Sequence, residues 1–274
     1  MLIENAECLI FDLDGTLYED VDHFQYYADL LKERVSQKNQ QSFDEDYKAI
    51  LNGEHLLMIG KVYDMERDTI VTVDPFTGRV EKVTSWYGDL WDREAVRKAY
   101  PQSLQYDFEH YIAIGDGWWL PFAVAMHYGV GIGEARECYV KTKDFMATEE
   151  FLMSKTKGLK AALERWKEDK LLVLLTNSED YDVENMLNRI DLSGLFHDHI
   201  PSAFKPQKTE EHFQTILDRY NLNPEEVVSI GDNFLNEIAP ALNMGMKAVF
   251  VQLADVEFDY PNLQVVKSLE DICP

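Results

Sequence analysis

Five consecutive apolar residues, Leu171-Leu172-Val173-Leu174-Leu175, do most to limit what this chain can become. The run is too short for a buried helix and shows no alternation, so it reads as a strand covered on both faces. A helical stripe of Leu159, Leu163 and Trp166 precedes it. Val227-Val228-Ser229-Ile230 and Ala248-Val249-Phe250-Val251 repeat the pattern, with a second stripe, Phe213, Ile216, Leu217 and Tyr220, lying before them. That helix is expected to begin at Thr209, with Glu210 and Glu211 facing the positive end of its dipole. Asn223-Pro224-Glu225-Glu226 carries the signals of another helix start. Short apolar strands alternating with helices imply an α/β fold, a doubly wound and mostly parallel sheet with helices on both faces. The apolar stretch Cys8-Leu9-Ile10-Phe11 belongs to the same sheet on this reading.

In such sheets, ligands bind beyond the carboxyl ends of the strands. The first strand delivers Asp12 and Asp14 there, followed by the turn residue Gly15 and Thr16. Two carboxylates at the edge of a core are costly unless something compensates them, and a divalent cation is the usual compensator. The strand at 171–175 delivers Thr176 and Asn177. A segment near His199-Ile200-Pro201-Ser202 leads to Lys205-Pro206. The strand at 227–230 delivers Gly231-Asp232-Asn233, with Asn236 and Glu237 one turn later. Together these supply a nucleophile, an acid/base, a hydroxyl and amide for phosphate oxygens, a cation, and carboxylates for a metal, which are the parts phosphoryl transfer needs.

With Asp12-Leu13-Asp14-Gly15-Thr16, Leu174-Leu175-Thr176-Asn177, Lys205-Pro206 and Gly231-Asp232 with Asn236-Glu237 in order, the chain resembles the haloacid dehalogenase-like (HAD) superfamily, in its phosphatase branch with a C1-type cap. The resemblance implies a Rossmann-like core over residues 1–17 and 155–274, and an inserted, mostly helical cap over 18–154. It implies a Mg²⁺-dependent phosphatase that acts on a small phosphorylated metabolite through an aspartyl-phosphate on Asp12. Asp14 would protonate the leaving group and then activate water. Thr176, the amide of Asn177 and Lys205 would hold phosphate or offset its charge. Asp12, the backbone carbonyl of Asp14, and Asp232 would hold Mg²⁺. Family members that attack carbon typically lack aspartate at the second position, so Asp14 favours phosphatase over dehalogenase chemistry. The fourth motif commonly ends in aspartate; Glu237 stands there instead, and its extra methylene suits it to orient Lys205 or a metal-bound water. A phosphomutase or phosphotransferase of the same family, or a non-catalytic sensor of phosphometabolites, are the alternatives.

The insert reads as helices near 24–37, 43–52, 92–99, 119–128 and 133–147. A β-hairpin candidate spans 69–83, with its turn at Asp74-Pro75-Phe76-Thr77-Gly78. Four of the five tryptophans, Trp86, Trp91, Trp118 and Trp119, fall in the insert, and they read chiefly as its core. Tyr18, Glu19 and His23, just past the first motif, are candidate pocket residues. The cap is expected to close over the site on hinges near 15–20 and 148–156. Fifty acidic against 26 basic residues give a formal charge of −24, which argues against nucleic acid and anionic membranes as partners. A sugar phosphate or nucleotide monophosphate is the expected ligand class, and oligomeric state is not legible. Cys8, Cys138 and Cys273 have no disulfide or metal spacing. The opening Met1–Glu7 has no secretory pattern, and a cytoplasmic location is expected.

Overall fold

A computed structural model describes residues 2–252 and 260–273. The chain divides into two compact units, Met1–Asp20 with Leu152–Pro274, and Val21–Phe151. These joins fall three residues inside each of the cap boundaries expected from sequence, 18 and 154.

Strand β1 (Cys8–Phe11) opens the first unit. The chain then runs through the second unit in the order α1 (Asp22–Arg34), α2 (Gln40–Leu51), β2 (Val62–Asp64), β3 (Thr69–Val73), β4 (Val80–Ser85), α3 (Arg93–Ala99), β5 (Tyr111–Ala113), α4 (Trp119–His127) and α5 (Ile132–Met146). It returns to the first unit through α6 (Leu159–Trp166), β6 (Leu171–Leu175), α7 (Asp180–Arg189), β7 (Asp198–Ile200), α8 (Thr209–Tyr220), β8 (Val227–Gly231), a π-helical turn (Phe234–Ile238), α9 (Ala239–Asn243), β9 (Lys247–Val251) and β10 (Leu263–Val266).

The first unit is built on a six-stranded sheet ordered β10-β9-β8-β1-β6-β7. Every pairing in it is parallel. The chain winds outward from β1 through β6 to β7, crosses back to β8 on the other side of β1, and winds outward again. The switch point of the fold therefore lies at β1, where the carboxyl ends of β6, β1 and β8 meet. Pleating divides β1 between two cores. Cys8 and Ile10 pack with Val173, Leu175, Phe213, Ile216 and Ile238 on the α8–α9 side. On the other face Phe11 stacks on Trp166 of α6 at 6.3 Å and meets Phe196 edge-on at 5.9 Å. Each such side chain, taken from water to full burial, stabilises by roughly 1.5–3 kcal/mol.

Helix α8 begins at Thr209, as its sequence indicates. Asn223–Glu226 forms a single 3-10 turn rather than a helix, because β8 starts at the next residue. Among the described residues no helix is long and apolar enough to cross a membrane.

The second unit is less purely helical than its sequence suggests. The expected hairpin forms as β3–β4, its turn held by Asp74, whose carboxylate accepts from the amides of Phe76 and Thr77. Two further strands, β2 and β5, extend it to a four-stranded antiparallel sheet ordered β4-β3-β2-β5. Each is three residues long, too short to show an alternation. Trp86 and Trp118 are buried. The Trp86 indole stacks on His127 at 4.2 Å and donates to Asp46 at 2.8 Å. His23, expected near a pocket, is 1% exposed and packs against Phe24, Trp118 and Phe151 inside this unit.

Candidate active site

At the carboxyl end of β1 the main chain stays in the sheet for one residue more, with the Asp12 amide donating to Ile230 O at 2.9 Å. That bond fixes where the Asp12 side chain begins. Its carboxylate is buried and accepts from Lys205 Nζ at 2.7 Å. The same ammonium reaches Glu237 Oε1 at 2.6 Å. Lys205 itself is 1% exposed, so its charge is spent wholly on these two acids.

The main chain around Lys205 is held as firmly as the side chain. Asn177 Oδ1 accepts from the Lys205 amide at 2.7 Å, and Asn177 Nδ2 donates back to the Lys205 carbonyl at 3.0 Å. The sequence pointed to the backbone amide of Asn177 as its working group; the structure adds this two-way clasp by the side chain. Glu237 is fixed in turn, its Oε2 accepting from the Asn233 amide at 3.1 Å. Asn233 caps the π-helical turn, its Oδ1 accepting from the amides of Leu235 and Asn236. Thr209 Oγ1 donates to the Asn236 carbonyl and ties α8 to that turn. Glu237 is thus placed on Lys205, which settles what its longer side chain reaches.

Two buried carboxylates share one buried ammonium, leaving the trio one negative charge in surplus. Burial raises the Asp12 carboxyl above its ordinary value; Lys205 pulls it back, and the nearby Asp14 charge raises it again. Burial likewise raises Glu237 in spite of Lys205. Burial alone would lower Lys205, but Asp12 and Glu237 outweigh it and hold the ammonium charged.

Asp14 stands at the rim, half-buried. Its Oδ1 accepts from the Tyr18 hydroxyl and its Oδ2 from Ser178 Oγ at 2.7 Å. Tyr18 lies in the first unit and is completely buried. Glu19, the neighbouring pocket candidate, is exposed and accepts from Ser268 Oγ at 2.6 Å. Thr176 Oγ1 accepts from the Ser178 amide at 3.1 Å, which leaves its own O–H as a donor. The Thr176 carbonyl accepts from the Ala203 amide, coupling the end of β6 to the segment that carries Lys205.

Asp232 follows β8. A Cβ at Gly15 would lie 2.1 Å from Asp232 Oδ2, so the Asp232 carboxylate rests against the turn after Asp14. Gly15 has φ +76°, and its bare Cα makes the room. Among the described residues no three His, Cys, Asp or Glu side chains are grouped to hold a metal ion. The Asp232 carboxylate beside the Asp14-Gly15 turn, and the Asp12 carboxylate two residues before Asp14, are the donors available here. All are hard oxygens, and so small a set suits a cation such as Mg²⁺, which keeps several waters.

Sequence reasoning missed Tyr18 and Ser178 as partners of Asp14, and Asn233 as the support of Glu237. Signals were present for all three: Tyr18 stands just past the first motif, Asn233 directly after Asp232, and Ser178 directly after Thr176-Asn177 as a third small polar residue.

A doubly wound parallel sheet with buried carboxylates at its switch point defines an α/β protein with a candidate site at the carboxyl ends of its central strands. Residues 6–245 match the haloacid dehalogenase-like hydrolases, and the chain belongs to that family. No curated protein matches the sequence. Similar solved structures include the HAD-hydrolase YfnB from Bacillus subtilis bound to magnesium, 14% identical, with TM-score 0.53 over 97% of this chain and 96% of that one. A haloacid dehalogenase-like hydrolase from Streptococcus pneumoniae is 14% identical, with TM-score 0.53 over 98% of both chains. An L-2-haloacid dehalogenase is 13% identical, with TM-score 0.51 over 98% and 97%. At these identities the likeness concerns the fold.

Proposed function

We propose that this hydrolase is a Mg²⁺-dependent phosphatase acting on a small phosphorylated metabolite, with Asp12 as nucleophile. The observation that carries the reading is Asp14, a second carboxylate two residues beyond Asp12, held by a hydroxyl on each oxygen. Displacement at carbon by one carboxylate needs no such acid beside it. A phosphate ester of an ordinary alcohol needs its leaving oxygen protonated.

In this reading an Asp12 oxygen attacks phosphorus while the bond to the leaving oxygen breaks, its electron pair staying on that oxygen. Asp14 delivers the proton there, giving an alcohol. Asp14, now a carboxylate, takes a proton from water as the water oxygen attacks phosphorus. The bond to Asp12 breaks, and inorganic phosphate and the starting enzyme result. Thr176 and the Asn177 amide bind phosphate oxygens. Lys205, oriented by Asn177 and Glu237, offsets charge on Asp12. Mg²⁺ would be held by Asp12, Asp232 and the Asp14 carbonyl, and would screen the repulsion between Asp12 and a phosphate dianion.

A phosphate-release screen over sugar phosphates, nucleotide monophosphates and other phosphometabolites tests this directly. Turnover is expected with Mg²⁺ and its loss with a chelator. Release of halide from 2-haloacids, without phosphate release from any ester, would overturn the assignment.

Gly15 offers a second check. Gly15→Ala places a methyl on Asp232 and a side chain at positive φ. It is expected to cost about 1–2 kcal/mol in backbone strain and to weaken Mg²⁺ binding by at least about 10-fold. The readout is the rise in thermal midpoint on titrating Mg²⁺; an unchanged Mg²⁺ dependence would remove Asp232 from the metal site.

A further inference from the structure

A carboxyl that must give up a proton and later take one has to hold its plane through both events. Asp14 is half-buried at the rim of the site, where a free side chain would sample several rotamers. Its two oxygens are instead met separately. The Tyr18 phenol donates to Oδ1 from four residues downstream, and Ser178 Oγ donates to Oδ2 at 2.7 Å from a strand end 164 residues away.

Neither donor is mobile. Tyr18 is 0% exposed, and its main chain bridges to that of Asp14. Ser178 is 4% exposed, its amide donating to Thr176 Oγ1 at 3.1 Å and its carbonyl accepting from Ser202 at 2.9 Å.

We infer that Tyr18 and Ser178 form a hydroxyl clamp that positions Asp14 for proton transfer. The inference rests on the phosphatase reading above and names the residues that make its acid/base work. One hydroxyl on each oxygen fixes both the plane and the rotamer of the carboxyl group. Hydroxyls also accept, so the clamp suits the protonated acid before leaving-group departure and the carboxylate after it. Ser178 further links the clamp to Thr176, so the group that binds phosphate and one of the donors that hold Asp14 follow the same strand. Tyr18 and Ser178 are positioning residues and act through Asp14.

The test compares two aryl esters of similar shape: phenyl phosphate, whose leaving group needs a proton, and p-nitrophenyl phosphate, whose leaving group departs without one. Tyr18→Phe and Ser178→Ala are each expected to lower kcat/KM for phenyl phosphate by about 10–100-fold, with a much smaller loss on p-nitrophenyl phosphate and little change in KM. Asp14→Asn should show the same selectivity, and adding Tyr18→Phe to it should cost little more. Ser178→Thr, which keeps the hydroxyl, should recover the phenyl phosphate rate. Thermal midpoints identify a variant that has lost its fold, and the two clamp residues give independent readings. Equal losses on both esters in the two hydroxyl variants, with Asp14→Asn still selective, overturn the clamp and leave the phosphatase reading standing. An Asp14→Asn enzyme as active as wild type on both esters overturns that reading and the clamp with it.

Discussion

Asp12→Asn is expected to abolish phosphate release, by about 10⁴-fold or more, in a protein that folds as well as the parent. An amide nitrogen or oxygen cannot take phosphorus as a stable acyl phosphate, so the covalent route closes. The fold survives because the charge balance improves. Asp12 and Glu237 share Lys205 in a nearly dry site, and burial holds Asp12 above its ordinary value. Removing one acid leaves Lys205 and Glu237 as a matched pair. The thermal midpoint should therefore hold or rise while activity disappears. Phosphate release and thermal melts on the same samples check this, and retained Mg²⁺-dependent turnover in the variant would disprove the nucleophile.

Lys205→Met is expected to do the opposite, harming fold and activity together. Methionine fills the space of the lysine stem, so packing loss is small. What is lost is the one ammonium between two buried carboxylates, and stripping a partner from a buried ion pair costs about 3–5 kcal/mol. In a chain of this size that is a fall on the order of 10 °C in thermal midpoint. The loss has a pH signature. Burial raises Asp12 and Glu237 in the folded state, so the folded protein binds more protons than the unfolded one above their ordinary values of 3.8 and 4.5. Stability tied to such groups is present at low pH and drains away as pH rises. Without Lys205 both groups move further up, so the gap between variant and parent should be wider at pH 8 than at pH 5. Melts across that range decide it, and a gap independent of pH would place the lysine's contribution elsewhere.

Much of this arrangement was legible because strands buried on both faces leave little choice. Leu171–Leu175 and Val227–Ile230 announce themselves, and the residues directly after them lie at the carboxyl edge of the sheet, beside the end of β1. Strands β2 and β5 were hidden, since three residues carry no periodicity and their pairing is decided by neighbours far along the chain. His23 was misplaced for a related reason. Proximity to a motif in sequence says little once the chain has entered a separately packed unit. Tyr18 shows the converse: a candidate pocket residue by its nearness to the motif, it is wholly buried, yet its hydroxyl meets Asp14. Glu237 could be given a place but not a contact, because one methylene decides between a metal and an ammonium.

The central position of β1 also bears on how the protein is made. Cys8 lies beside Leu171 on one side and Val227 on the other. At about 5–20 residues per second of synthesis, the strand that leads to Asp12 emerges roughly 10–40 s before its second neighbour exists. Through that interval Cys8-Leu9-Ile10-Phe11 is an unpaired apolar edge on a nascent chain, the kind of segment that chaperones shield and that nucleates aggregates. Chains cut short before Val227 carry both aspartates of the first motif and no sheet to seat them in. Assembly of the candidate site is therefore among the last events of synthesis, although its first residues are among the earliest made.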